Sequence, residues 1–187
     1  MSNAQKKKVT RLDYCQFLLS SQINYTQTYF ADHSAQFSHD AINRYAAGDQ
    51  IPPRLVWENV QSQIVQSKNG FIIFDDFVLD KNYSTQMDLV RYQWSGNAKG
   101  VIKGIGVVTC VYVNPDTDQF WIIDYRIFAP DVDKKSKLDH LREMLFNAVH
   151  HKHLLFRVVL MDTWYAAKDE LLFIEQLDKI YYCPVKD

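Results

Sequence analysis

Two short apolar runs, each ending in aspartate, constrain the fold of this chain more than any other feature. Residues 71–74 read Phe-Ile-Ile-Phe and run straight into Asp75 and Asp76, and the apolar stretch 155–161 runs into Asp162. The first of them, entered from Asn69-Gly70, has the mark of a strand buried on both faces with acids emerging at its carboxyl end. Residues 105–113 and 119–128 are rich in β-formers, and Asn114-Pro115-Asp116-Thr117-Asp118 between them is turn chemistry, so the two are expected to pair as an antiparallel hairpin. Ser136 followed by Asp139 reads as a capping box, and Leu138, Leu141, Leu145 and Val149 carry a helix to about His153. Beyond Asp162, the residues Trp164, Ala167, Leu171, Ile174 and Leu177 mark one face of another helix, and residues 179–185 close the chain with a fifth strand.

That order predicts an α/β fold with a mixed five-stranded sheet. The first strand is central, with an antiparallel hairpin on one side and right-handed βαβ crossovers adding parallel strands on the other. The polar stretch 81–103, containing Arg91, Lys99, Gly96 and Gly100 and followed by Gly104, reads as a surface loop. Upstream of Lys68 the chain reads as a small helical lobe, so the expected division is 1–68 and 69–187. Helices are expected over 13–25, over 38–47 with Ser38 as N-cap, and over 54–66 after Pro52-Pro53. A helix-turn-helix there would offer His39, Asn43 and Arg44 to DNA, although most helical hairpins of this size only pack.

Composition narrows the function. Lys and Arg number 21 against 22 Asp and Glu, a formal net charge of -1, so DNA contact has to come from a local basic surface. A 47% hydrophobic chain can bury a real core, and no apolar run approaches the roughly 18 to 20 residues that span a bilayer. The first eight residues lead into Arg11, Asp13 and Gln16, which break any signal-peptide core. Cys15, Cys110 and Cys183 are too scattered for a disulfide framework or a zinc site, and a cytoplasmic location is expected.

In the expected sheet the first and fourth strands are parallel neighbours about 4.8 Å apart, and their carboxyl ends form the crevice where ligands bind. Asp76 and Asp162 are 162 − 76 = 86 residues apart in sequence, yet they would face each other there. Two close, half-buried carboxylates repel, and a hard divalent ion resolves the repulsion. Two such ions can activate a water or 3′-hydroxyl for in-line phosphoryl transfer. The structural alternative is that these aspartates are caps or solvated turn residues, Asp162 being placed to cap the next helix. Alternation also allows only one of Asp75 and Asp76 onto the site side. A phosphorelay receiver would bring its acids closer in sequence and have no hairpin between them. A haloacid-dehalogenase-type phosphatase needs an Asp two positions after its nucleophile, where this chain has Phe77 or Val78.

The joint pattern resembles the DDE-type transposases of bacterial insertion sequences, with their ribonuclease H-like catalytic domain. It runs from Arg11-Leu12-Asp13-Tyr14 and residues 38–45 through Phe74-Asp75-Asp76, Val78-Leu79-Asp80-Lys81 and Ser95-Gly96-Asn97-Ala98-Lys99-Gly100 to Val159-Leu160-Met161-Asp162-Thr163-Trp164-Tyr165. The resemblance implies Asp76 and Asp162 as the first two catalytic, metal-binding acids, and Mg²⁺ or Mn²⁺ as cofactor. It also implies transposon-end and target DNA as partners of a homodimer associated with the nucleoid. Lys99, Lys103, Arg91 and Trp164 would then grip DNA together with Asn43 and Arg44. Two departures stand out. Phe77 replaces the usual Thr after the first acid pair, and the third acid, a Glu in a downstream Tyr, Arg, Glu, Lys helix, has no counterpart here. Glu170 and Glu175 read as solvated face. The expectation is therefore a truncated, inactive copy or first reading frame, or alternatively a non-catalytic fragment that binds DNA or full-length subunits.

Overall fold

The computed structural model describes residues 8–21, 25–82 and 87–184, and the chain divides into two compact units, Met1–Ile51 and Pro52–Asp187. The division falls earlier than the sequence boundary at residue 68. The reason is α4 (Pro53–Val60), whose Trp57 and Val60, followed by Ile64, pack against the sheet's core.

The first unit holds α1 (Arg11–Ser20), α2 (Gln27–Asp32) and α3 (His39–Gly48). Thr10 and Asp13 form a capping box that starts α1, and the Ser38 hydroxyl caps α3 by accepting from Ala41 N–H at 3.3 Å. Helix α1 stops at Ser20, short of the expected end at residue 25, and residues 22–24 lie outside the described set. Helix α2 was not foreseen. Its Phe30 stacks on Phe17 with ring centroids 4.4 Å apart, and Val9, Phe37 and Ile42 complete a small core. Arg11 and Tyr45 both bond Asp49, which holds that carboxyl down at about 2.

The second unit runs β1 (Phe71–Asp80), β2 (Arg91–Ser95), β3 (Gly100–Asn114), β4 (Gln119–Phe128), α5 (Pro130–Asp133), α6 (Lys137–His150) and β5 (Val158–Met161), then a 3₁₀ turn (Thr163–Tyr165), α7 (Lys168–Gln176) and β6 (Ile180–Tyr182). The sheet has six strands where the sequence suggested five. The added one is β2, inside the stretch read as a loop. It pairs antiparallel with the start of β3, from Arg91↔Gly104 to Ser95↔Gly100. Of the last expected strand, Val185 lies outside the described residues.

The remaining topology follows the sequence expectation. Strand β1 is central, antiparallel to β3 and parallel to β5, with β4 paired to β3 and β6 to β5. This is a ribonuclease H-like mixed sheet. Ile72 and Phe74 of β1 lie level with Tyr112 and Cys110 of β3 and with Val159 and Met161 of β5. All six are buried, in one cluster with Leu141, Met144, Leu145 and Ala148 of α6 and Ile174 of α7. By strand alternation the other face carries Phe77, Leu79, Phe120, Ile122, Ile180 and Tyr182, each exposed. No helix of the described residues is long and apolar enough to cross a membrane.

Candidate active site

Helices cover the face of β1 that carries Ile72 and Phe74, and alternation extends that face to Asp76, level with buried Val108. Asp75 points to the other face and is exposed. Of the acid pair, Asp76 is the one on the helix-covered face.

The β1–β5 ladder ends at Phe74↔Met161, so Asp162 follows the carboxyl end of β5, while Asp75 and Asp76 come just past the last β5-paired residue of β1 and continue its ladder with Thr109 and Val108 of β3. Asp162 is extended in backbone and caps the 3₁₀ turn, its Oδ1 accepting from Thr163 N–H at 2.6 Å. The capping role weighed from sequence is therefore real. It also fixes the carboxylate at the strand's end.

Two donors hold Asp76. The Tyr165 hydroxyl donates to its Oδ1 at 2.9 Å, and the Lys137 ammonium donates to its Oδ2 at 2.5 Å. Tyr165 is fully buried, and its phenol is pushed far above its ordinary value. Burial is the largest cause. The negative charge of Asp76 and the bond to it come next, followed by the charges of Asp75 and Asp162. The fields of three carboxylates therefore converge on one buried hydroxyl, which stays protonated and serves as a permanent donor.

Lys137 is the first residue of α6, placed by the Ser136–Asp139 capping box. A cation at a helix N-terminus opposes the macrodipole, at a cost of about 0.3–1 kcal/mol. Here the ion pair with Asp76 compensates, both side chains being mostly shielded, and the ammonium also lies 5.4 Å from the ring centroids of Phe128 and of Trp164. Lys137 is not among the site residues expected from the sequence. The available signal was a lysine inside a capping box, where local helix rules favour an acid.

The other expected site residues are dispersed. Trp164 is half exposed at the rim, and its neighbour Tyr165 is the core residue of the pair. Lys103 and Lys99 lie five and nine residues along β3 from the level of Asp76, or about 17 and 30 Å of extended strand. Lys99 occupies the β2–β3 turn with a left-handed backbone (φ 48) and is exposed. Arg91 is ion-paired with Asp131 and largely covered. Asn43 and Arg44 belong to the first unit, where Asn43 lies 3.1 Å from the His39 ring and Arg44 is exposed. Glu170 corrects the solvated-face reading: it is 2% exposed and bonded to Arg142 at 2.6 Å. Glu175 is exposed as expected.

Asp76 and Asp162 are hard oxygen donors of the kind Mg²⁺ or Mn²⁺ takes, and would form a partial ligand set completed by water and substrate phosphate. Among the described residues, no group of three or more His, Cys, Asp or Glu is placed to hold a metal ion.

A central strand flanked by an antiparallel hairpin and by parallel crossovers defines a ribonuclease H-like fold. The cryo-EM structure of a piggyBac transposase synaptic complex with hairpin DNA matches 100% of this chain with a TM-score of 0.52 at 12% identity. This chain spans 44% of that one's length. A pre-cleavage Mos1 transpososome aligns over 97% of this chain and 60% of its own at 13% identity, with a TM-score of 0.23 that is too low to carry an argument. No protein-family model and no curated protein matches the sequence.

Proposed function

We propose that this chain carries the catalytic core of an insertion-sequence transposase of the DDE type. The observation that carries the reading is that Asp76 and Asp162 both follow closely on Phe74 and Met161, the last paired residues of the adjacent parallel strands β1 and β5, within a sheet whose fold matches that of a transposase. Asp76 and Asp162 would hold Mg²⁺ or Mn²⁺. Such ions activate a water or 3′-hydroxyl and stabilise the leaving oxygen at a scissile phosphate. The chain's own residues prepare this chemistry. Tyr165 fixes the Asp76 carboxylate by donating to one oxygen, and the 3₁₀ turn fixes Asp162. Exposed Trp164 at the rim offers an aromatic face to a base.

With a net charge of -1, the chain would hold DNA through local cations. Lys99 and Lys103 on the β2–β3 hairpin, and Asn43 and Arg44 in the first unit, are the candidates. Arg91 is the weakest of the set because Asp131 already engages it. The natural substrates would be transposon ends and target DNA, bound by a homodimer.

A second reading has its own support. Lys137 and Tyr165 already engage both oxygens of Asp76, and no group of three or more His, Cys, Asp or Glu among the described residues is placed to hold a metal ion, which favours a chain that binds DNA or full-length subunits without cutting. The test is a strand-cleavage assay on supercoiled plasmid with Mn²⁺, run beside fluorescence anisotropy on labelled duplex DNA. Metal-dependent nicking that vanishes in Asp76→Asn and Asp162→Asn establishes the enzyme. Binding without nicking establishes the second reading, and the absence of both removes the DNA function altogether.

A further inference from the structure

The contact between Lys137 and Asp76 is the least expected feature of this molecule. A part-buried carboxylate at the centre of a candidate metal site already carries a cation, supplied by the first residue of α6. The ammonium is well held. Its Nζ donates to Asp76 Oδ2 at 2.5 Å and lies 5.4 Å from two ring centroids, Phe128 on one strand and Trp164 on the turn after Asp162. The lysine side chain is 13% exposed and that of Asp76 21%, so water screens the pair weakly. The capping box fixes the backbone from which Lys137 reaches.

A cation so placed does what a divalent ion would do at the same oxygen. It neutralises Asp76 and relieves its repulsion with Asp75 and Asp162, whose charges reach the same locality through Tyr165. Two positive groups at one carboxylate oxygen repel each other across a few ångströms, most strongly where water is largely excluded. A metal arriving at Oδ2 meets that repulsion, which pushes the ammonium away from Asp76 and from its contact with the rings. We propose that Lys137 is an internal counter-cation that competes with divalent metal for Asp76, keeping the acid cluster folded in the metal-free protein and weakening metal binding until it is displaced. This rests on the reading of Asp76 as a metal ligand.

The test needs no DNA. Mn²⁺ binding is measured by electron paramagnetic resonance and by calorimetry on the full chain, for the wild type, Lys137→Met, Lys137→Gln and Asp76→Asn. Thermal melts are recorded in EDTA and in Mn²⁺. Lys137→Met keeps the apolar stem and removes the charge, and Lys137→Gln keeps a donor for Asp76, so the second serves if the first fails to fold. The expected result is a Kd for Mn²⁺ lowered about tenfold or more in both variants, with Asp76→Asn abolishing the site. The variants should also melt below the wild type in EDTA and gain more from Mn²⁺ than the wild type does. A wild type that binds Mn²⁺ through Asp76, with Lys137 variants that bind it equally or more weakly, overturns the competition while leaving the metal reading intact. If no protein in the series binds Mn²⁺ in a manner sensitive to Asp76→Asn, the metal reading fails and takes the competition with it.

Discussion

Tyr165 and His140 show what single buried side chains contribute, the first to the candidate site and the second to stability. The Tyr165 hydroxyl donates to a carboxylate from a fully buried position, and hydrogen bonds to charged groups contribute about 1.5–3 kcal/mol. Tyr165→Phe should therefore lower unfolding free energy by about 2 kcal/mol in urea titrations. The same change in an Asp76→Asn background should cost clearly less, because the charged acceptor is gone. His140 gives a pH dependence. It is 2% exposed, and burial holds its imidazole below the ordinary value, helped by Arg126 and Lys135 and opposed by Asp133 and Glu143. The native state keeps it neutral while the unfolded chain takes a proton below about 6.5, so its contribution is present above that pH and is lost as pH falls through the lowered native value. Urea midpoints should drop between pH 7 and pH 5, and His140→Gln should flatten that drop. The depressed carboxyls of Asp49, Asp131 and Asp139 titrate in a lower, separate window. At this scale the sequence made Asp76 and Asp162 legible because apolar runs pointed at them. Lys137, Tyr165 and buried Glu170 acquire their roles from partners 61, 89 and 28 residues away, which no local pattern encodes.

Elements were legible where their signals are local. The Ser136–Asp139 box starts α6, Ser38 caps α3, and the Asn-Pro-Asp-Thr-Asp turn joins β3 to β4, all as the chain's chemistry directs. Strand β2 was not legible, since five residues between turn segments have little preference of their own and gain their ladder only from the long β3. Gly104, just after this stretch, is needed where β3 passes β1. A Cβ on Gly104 would come within 2.5 Å of the Leu79 carbonyl oxygen and 2.6 Å of Val78 Cγ1, a collision with strand backbone. A Cβ on Gly106 would meet mainly the flexible end of Gln93. Gly104→Ala should accordingly destabilise the protein by more than Gly106→Ala, a comparison readable from paired urea denaturation curves. Ser136→Ala removes the side-chain half of the α6 cap, with an expected loss of about 1 kcal/mol.

At the scale of the whole molecule, the sheet topology followed from the order of elements, whereas the division between units did not. Composition and helical period make α4 look like a third helix of the N-terminal lobe. A helix joins whichever core its apolar stripe can complete, and that depends on residues far along the chain. Trp57, Val60 and Ile64 pack on the cluster containing Tyr112, while the first unit closes its own core with Val9, Phe17, Phe30, Phe37 and Ile42. The two clusters share no residue, so neither needs the other's side chains to exclude water. A chain beginning at Pro52 should retain a cooperative thermal transition and the near-ultraviolet signal of buried Tyr112 and Tyr165. One beginning at Asn69, the boundary read from sequence, strips α4 from the sheet and exposes the core residues beneath it. It should melt lower, by well over the few degrees that about 1 kcal/mol represents in a domain of this size. Equal melting of the two chains would show that α4 is dispensable to the sheet and would return the boundary to residue 68.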